Sequence, residues 1–281
     1  MISSLLNLIR AKHWIKNLII FAPLIFSGPK IFGDLHNLNL VIKTLLIFCI
    51  LSSIIYIFND ICDYDLDKLH KYKKKNKPLA SGKISLDFAK LSLFFLIIFF
   101  FIIIYFNSKL FLVSIIFLFL NFLYSIKLKH IPIVDMFSVA ASYIVRVYAG
   151  GIAIDISISN WMFITVFSTA LFIISLKRKN ENDLIGSKAR KALNNLNEDI
   201  FNYFIIISAS TAICFYSLYV ILEMNNDLVT SIPLVIFIFF RYLYINNNKT
   251  INESPVDLFF SDIVLILSIL VWFAVSVMAL I

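Results

Sequence analysis

Long apolar runs alternate with short polar stretches along nearly the whole chain. They fall near residues 18–33, 39–58, 88–106, 109–125, 133–154, 160–176, 201–222, 232–246 and 258–280. A helix needs roughly 17–25 apolar residues to cross a bilayer core of about 30 Å. The pattern therefore predicts an all-α, polytopic membrane protein with about nine transmembrane helices. Pro23 interrupts the first run, and the eighth is short. Two polar stretches are longer than the others, 59–87 and 177–199, and each follows a span that ends in polar residues. No long linker separates the runs, so residues 1–281 read as a single transmembrane domain.

Composition supports this class and excludes a soluble one. The chain is 60% hydrophobic and only 15% charged, whereas soluble domains carry about 25% charged residues. Residues 1–17 are amphipathic and basic, which is not the pattern of a cleavable signal peptide. The net charge of +8 is unevenly spread. Of 25 Lys and Arg, 20 lie in alternate polar segments, at 10–16, 68–83, 127–129, 177–191 and 241–249. Lys30 and Lys109 lie in the opposite segments, and Lys43, Lys90 and Arg146 within apolar runs. Such asymmetry predicts that the basic segments face the cytoplasm of a bacterial-type inner or plasma membrane, with the N-terminus inside and the C-terminus outside. Flanking of membrane spans, with no nucleic-acid module, argues against nucleic acid as the partner of this charge. Cys49, Cys62 and Cys214 are too scattered for a disulfide framework or a zinc site. The 29 Phe residues are expected to meet lipid or neighbouring helices.

The first candidate chemistry follows the second apolar run. Asn59, Asp63 and Asp67 are spaced i, i+4 and i+8, so they share one face if the helix continues, with Asp60 beside them and His70 beyond. Stacked carboxylates repel unless a cation lies among them. Hard oxygen ligands suit Mg²⁺, with Mn²⁺ as an alternative, and Mg²⁺ characteristically fills its remaining positions with water and substrate phosphates. Lys73, Lys74, Lys75 and Lys77 follow, then Pro78-Leu79-Ala80-Ser81-Gly82. Cations beside a metal can hold a polyanion. The plainer reading is a solvated acidic helix end answered by nearby lysines.

These residues resemble the first Asp-rich motif of the UbiA superfamily of intramembrane prenyltransferases. The resemblance implies a UbiA-like bundle of nine helices whose motif holds a donor diphosphate through Mg²⁺. Lys77 stands where the family usually has Arg, and the run from His70 to Pro78 is about one residue longer. Tyr124 and Lys127 resemble the superfamily's Y-x-x-K element, which implies a phosphate contact; without the family, an interfacial Tyr and a snorkelling Lys are the better explanation. Lys129 follows closely. Asp135 and Arg146 are eleven residues apart, about three turns, and share a helix face. A charge inside a span faces a polar cavity or a partner, so Arg146 is either a substrate contact or half of a structural salt bridge.

The sixth span identifies the branch. A second Asp-rich motif is expected there in enzymes that use isoprenoid diphosphates, yet the chain has Lys177-Arg178-Lys179-Asn180-Glu181. The opening run Arg10-Ala11-Lys12-His13-Trp14-Ile15-Lys16-Asn17 resembles that of the decaprenyl-phosphate phosphoribosyltransferase branch, with Ala11 and His13 replacing Pro and Gln. So do residues 128–135 and 146–151, and the likeness runs from about residue 8 to 195. It implies transfer of 5-phosphoribose from phosphoribosyl pyrophosphate to a polyprenyl phosphate. The implied metal ligands are Asn59, Asp63 and Asp67. The implied substrate contacts are Lys16, Asp60, His70, Lys74, Lys77, Tyr124, Lys127, Lys129, Asp135, Arg146, Lys177, Arg178 and Glu181. The alternatives are isoprenoid transfer to an aromatic acceptor on the same fold and, more remotely, a transporter or scaffold. Association into homo-oligomers is left open by the sequence.

Overall fold

A computed structural model describes residues 2–69, 77–185, 198–223, 228–248 and 255–280, and among these no strand occurs. Six helices are long and apolar enough to cross a membrane: Leu35–Cys62, Leu86–Tyr105, Ser108–Ile126, Val134–Ala153, Asn160–Asp183 and Asp199–Glu223. Two shorter apolar helices, Ser231–Asn247 and Ile263–Ala279, follow. The protein is an all-helical, multi-pass membrane protein. The helix of residues 86–105 shows why the Phe-rich stretches exist. Phe94, Phe95, Phe99 and Phe101 are each at least half exposed, as expected of a surface solvated by lipid rather than water.

The first apolar run is not one helix. A 3-10 helix spans Ala11–Phe21, followed by short helices Ala22–Ile25 and Pro29–Phe32. Pro23 cannot donate to the ladder, and Gly28 at φ +87° turns the chain before Pro29. The two long polar stretches also begin as helix. Residues 59–62 complete the Leu35–Cys62 helix, and Tyr64–Leu69 continues it after a single turn residue, with Asp67 N–H still bonded to Asp63 C=O at 2.8 Å. Likewise the helix of residues 160–185 runs through Lys177–Glu181. No Gly or Pro interrupts that sequence before Gly186, and ion pairs one turn apart brace it.

The chain divides into two compact units. One comprises Met1–Ala22, Leu35–Leu128 and Val145–Ile156; the other comprises Pro23–Asp34, Lys129–Ile144 and Ser157–Ile281. In the first unit, Leu8, Ile57, Leu79, Ile84 and Ala89 form a buried cluster. It pulls the turn of residues 78–82 onto the end of the Leu35–Cys62 helix. Ser85 then caps the next helix, accepting from Phe88 N–H at 3.2 Å. In the second unit, Phe172, Leu176, Ile205, Ala212 and Phe239 pack helices 160–185, 198–223 and 232–248 together. A buried polar clamp adds to this. Trp272 Nε1–H donates to Tyr216 Oη at 2.9 Å, and Tyr216 shares a 2.7 Å hydrogen bond with Ser231.

Candidate active site

The Asp-rich motif lies in the first unit. Lys77 Nζ reaches Asp60 Oδ1 at 2.8 Å and Asp67 Oδ2 at 2.5 Å, while Arg10 Nη2 reaches the same Asp60 oxygen at 2.6 Å. Both carboxylates are only 2% exposed. Asp60 Oδ2 is buried with no hydrogen-bond partner among the described residues. Asn59 Nδ2–H donates to Asp63 Oδ2 at 3.2 Å. Around the predicted stack of three, Asn59 thus meets Asp63, while Asp60 and Asp67 share Lys77. Helical hydrogen bonds run through the turn residue Asp63, and Lys77 bridges the aspartates on either side of it. Among the described residues, no group of three or more His, Cys, Asp or Glu forms a metal cage unaided. The donors still fit a hard divalent ion. Mg²⁺ needs one or two carboxylates when substrate phosphate and water complete its shell, and a buried carboxylate oxygen without a partner is a vacant strong acceptor.

Arg10 was not among the expected site residues, and neither was Asn17. Both belong to the N-terminal run, whose 3-10 geometry explains their roles. Three residues per turn align Trp14, Asn17 and Ile20 in one row. Trp14 Nε1–H donates to Ser53 Oγ at 3.1 Å. Asn17 is completely buried; its Oδ1 accepts from Arg146 Nε at 2.7 Å and from Ser52 Oγ at 3.2 Å. Ile20 C=O lies so close to Gly150 that a Cβ there would stand 2.1 Å from it. A second row presents His13, its ring 5.7 Å from Tyr56, and Lys16, whose charge also acts on Tyr56. Arg10 stacks over the same tyrosine ring at 5.0 Å. Its φ of +51° is costly for a non-glycine residue and turns the chain where the 3-10 helix begins.

Arg146 thus has the Asn17 amide among its partners. Its guanidinium also sits over the Phe117 ring at 4.6 Å, a cation–π contact strengthened by desolvation. Asp135 belongs to the second unit and pairs elsewhere. Arg178 grips it through Nε to Oδ2 and through Nη2 to Oδ1 at 3.1 Å, and sends Nη1 to Glu181 Oε2 at 2.6 Å. Arg178 and Asp135 are each 1% exposed. Lys177 joins Glu181 more loosely, at 3.6 Å, and is 36% exposed. Ile133, a β-branched residue at φ +66°, precedes this site and starts the helix that carries Asp135. Nearby, Lys179 donates to Asn202 at 2.9 Å, and Asn180 donates to Asn246 at 2.8 Å.

The helix carrying Tyr124 ends at Ile126, and Lys127 caps it, its N–H still bonded to Leu123 C=O at 2.9 Å. Tyr124 is half-buried, Lys127 exposed and Lys129 buried. His70 and Lys74 lie outside the described residues, as do Lys73 and Lys75.

A decaprenyl-phosphate phosphoribosyltransferase of Mycolicibacterium smegmatis is 28% identical over 97% of this chain and 91% of its own length. The protein of that description in Mycobacterium tuberculosis is 27% identical over 98% and 93%. The likeness thus extends through the last helices, which the motifs alone did not reach. A UbiA homolog from Archaeoglobus fulgidus, solved bound to GPP and Mg²⁺, superposes with a TM-score of 0.74 over 99% of both chains at 18% identity, which shows a shared fold. The description of the UbiA prenyltransferase family matches residues 21–269. With its all-helical membrane architecture, its Asp-rich helix end and this match over most of its length, the chain belongs to the UbiA prenyltransferase family.

Proposed function

We propose that this protein transfers 5-phosphoribose from phosphoribosyl pyrophosphate to a polyprenyl phosphate, releasing pyrophosphate, at a site facing the cytoplasm. The observation that carries the reading is near-full-length similarity to two decaprenyl-phosphate phosphoribosyltransferases. The residues suit the chemistry. An oxygen of the lipid phosphate forms a bond to ribose C1 as the bond from C1 to pyrophosphate breaks, and that electron pair leaves with the pyrophosphate. The acceptor is already an anion, so no general base is required.

Asn59, Asp63 and Asp67, with Asp60 beside them, are the residues that would hold Mg²⁺ or Mn²⁺. When bound, the ion supplies charge neutralisation for the departing pyrophosphate. Lys77 and Lys74 are assigned to donor phosphates, with His70 at the same end. Lys16, Arg146, Tyr124, Lys127 and Lys129 are assigned to the donor 5-phosphate and the lipid phosphate. Asp135, Arg178 and Glu181 form the base on which Lys177 stands. Because the guanidinium of Arg178 is engaged by two carboxylates, we assign Arg178 to positioning and Lys177 to substrate.

Purified protein should convert radiolabelled phosphoribosyl pyrophosphate and a polyprenyl phosphate into a lipid-soluble labelled product. Consumption of an isoprenoid diphosphate with an aromatic acceptor, and indifference to phosphoribosyl pyrophosphate, would overturn the reading and leave the family. The orientation has its own test. In a cysteine-free background, a cysteine at Lys83 should be labelled from the cytoplasmic side and one at Lys109 from outside. The reverse pattern would contradict cytosolic access to the donor.

A further inference from the structure

We propose that Lys77 is a tethered counter-cation of the Asp60–Asp67 pair, which disfavours a divalent ion alone and admits it together with a diphosphate. The inference rests on the reading that this acidic cluster takes a divalent ion, and it adds the order in which charges arrive. Lys77 Nζ stands between Asp60 and Asp67 at 2.8 and 2.5 Å. Arg10 adds a second positive charge on the same oxygen of Asp60. Two buried carboxylates thus face two cations, and the local charge is already balanced. A divalent ion entering this group would share its ligands with Lys77 and be repelled by it, in a site where burial weakens screening.

The backbone cannot easily withdraw Lys77. Leu79 and Ala80, two and three residues on, are 1% and 4% exposed, and Leu79 packs with Leu8 and Ile57. Gly82, at φ +75°, closes the turn, and Ser81 Oγ–H donates to Pro78 C=O at 3.0 Å. What can move is the four-carbon side chain, which is 20% exposed. A diphosphate changes the balance because its oxygens accept from Lys77 and ligate the ion at the same time. Asp60 and Asp67 then pass from the lysine to the metal. Metal and diphosphate binding become reciprocally coupled, each strengthening the other by the same factor.

The test measures Mn²⁺ bound to the detergent-purified full chain by paramagnetic resonance, with and without inorganic pyrophosphate, after correction for the Mn²⁺–pyrophosphate complex in solution. In the wild type, pyrophosphate should tighten Mn²⁺ binding at least about tenfold. Lys77→Gln should bind Mn²⁺ alone at least about fivefold more tightly than wild type and lose most of the pyrophosphate enhancement. Lys77→Arg, which keeps the charge, should behave as wild type. Arg10→Gln removes the other cation from Asp60 and should shift Mn²⁺ affinity in the same direction by less; it carries the test if Lys77→Gln does not fold. Unchanged or weaker Mn²⁺ binding in folded Lys77→Gln, or in Arg10→Gln where that variant stands in, would overturn the inference while the metal reading stands. No Mn²⁺ binding in any protein, with or without pyrophosphate, would overturn both.

Discussion

The two acidic clusters use the same residue types and differ in how completely their carboxylate oxygens are hydrogen-bonded. In the second unit, Asp135 presents both oxygens to Arg178, whose remaining reach goes to Glu181. Geometry of this kind is what makes a buried ion pair tolerable, because desolvation is offset only by well-formed, charge-assisted hydrogen bonds. In the first unit, Arg10 and Lys77 crowd onto one oxygen of Asp60, and its other oxygen is buried without a partner among the described residues. A satisfied pair fixes helices. An unsatisfied carboxylate is a place where a ligand gains more than water would give. On this comparison we propose that the second cluster acts as a rivet and that the first is the place for chemistry.

The largest effect is expected at the rivet. Arg178→Ala removes the guanidinium that meets both oxygens of the buried Asp135 and should destabilise the detergent-solubilised protein by about 3–5 kcal/mol. The double change Asp135→Leu with Arg178→Met should recover most of that loss, since apolar residues can replace a buried pair with little net cost. Normal thermal unfolding of Arg178→Ala would show that the pair is not structural. A smaller effect is expected at Gly150. Alanine there places its Cβ against the Ile20 carbonyl, and relief of such overpacking costs about 1–3 kcal/mol. The displacement also shifts the Asn17 row, so Gly150→Ala should lower turnover along with thermal stability. Unaltered stability would mean that the 3-10 segment is free to move aside.

The sequence made the six long apolar helices legible because apolar length is a local property. The Asp-rich end was legible too, since its residues share one stretch of chain. What it concealed were contacts made across long separations. Arg178 finds Asp135 43 residues away, and Arg146 finds Asn17 129 residues away. The position of Arg146 inside a span called for a partner or a polar cavity, but nothing local could point to the amide of Asn17. The N-terminal run could be quoted by resemblance, yet its 3-10 form was hidden. A row at i, i+3 and i+6 becomes visible only when Trp14, Asn17 and Ile20 are seen meeting Ser53, Arg146 and Gly150. Residues 177–185 read as loop because they are charged, whereas their mutual ion pairs and the absence of a breaker keep them helical.

The most direct measurement of the contrast compares Asp67→Asn with Asp135→Asn for both thermal unfolding and turnover of phosphoribosyl pyrophosphate with polyprenyl phosphate. Asp67→Asn should unfold close to wild type, because Lys77 keeps Asp60, and should lose at least about tenfold in turnover, equivalent to about 1.4 kcal/mol of transition-state stabilisation. Asp135→Asn should unfold earlier, and its turnover should recover toward wild type at temperatures where it stays folded. Wild-type turnover in folded Asp67→Asn would contradict the account and leave the acidic helix end a structural role alone.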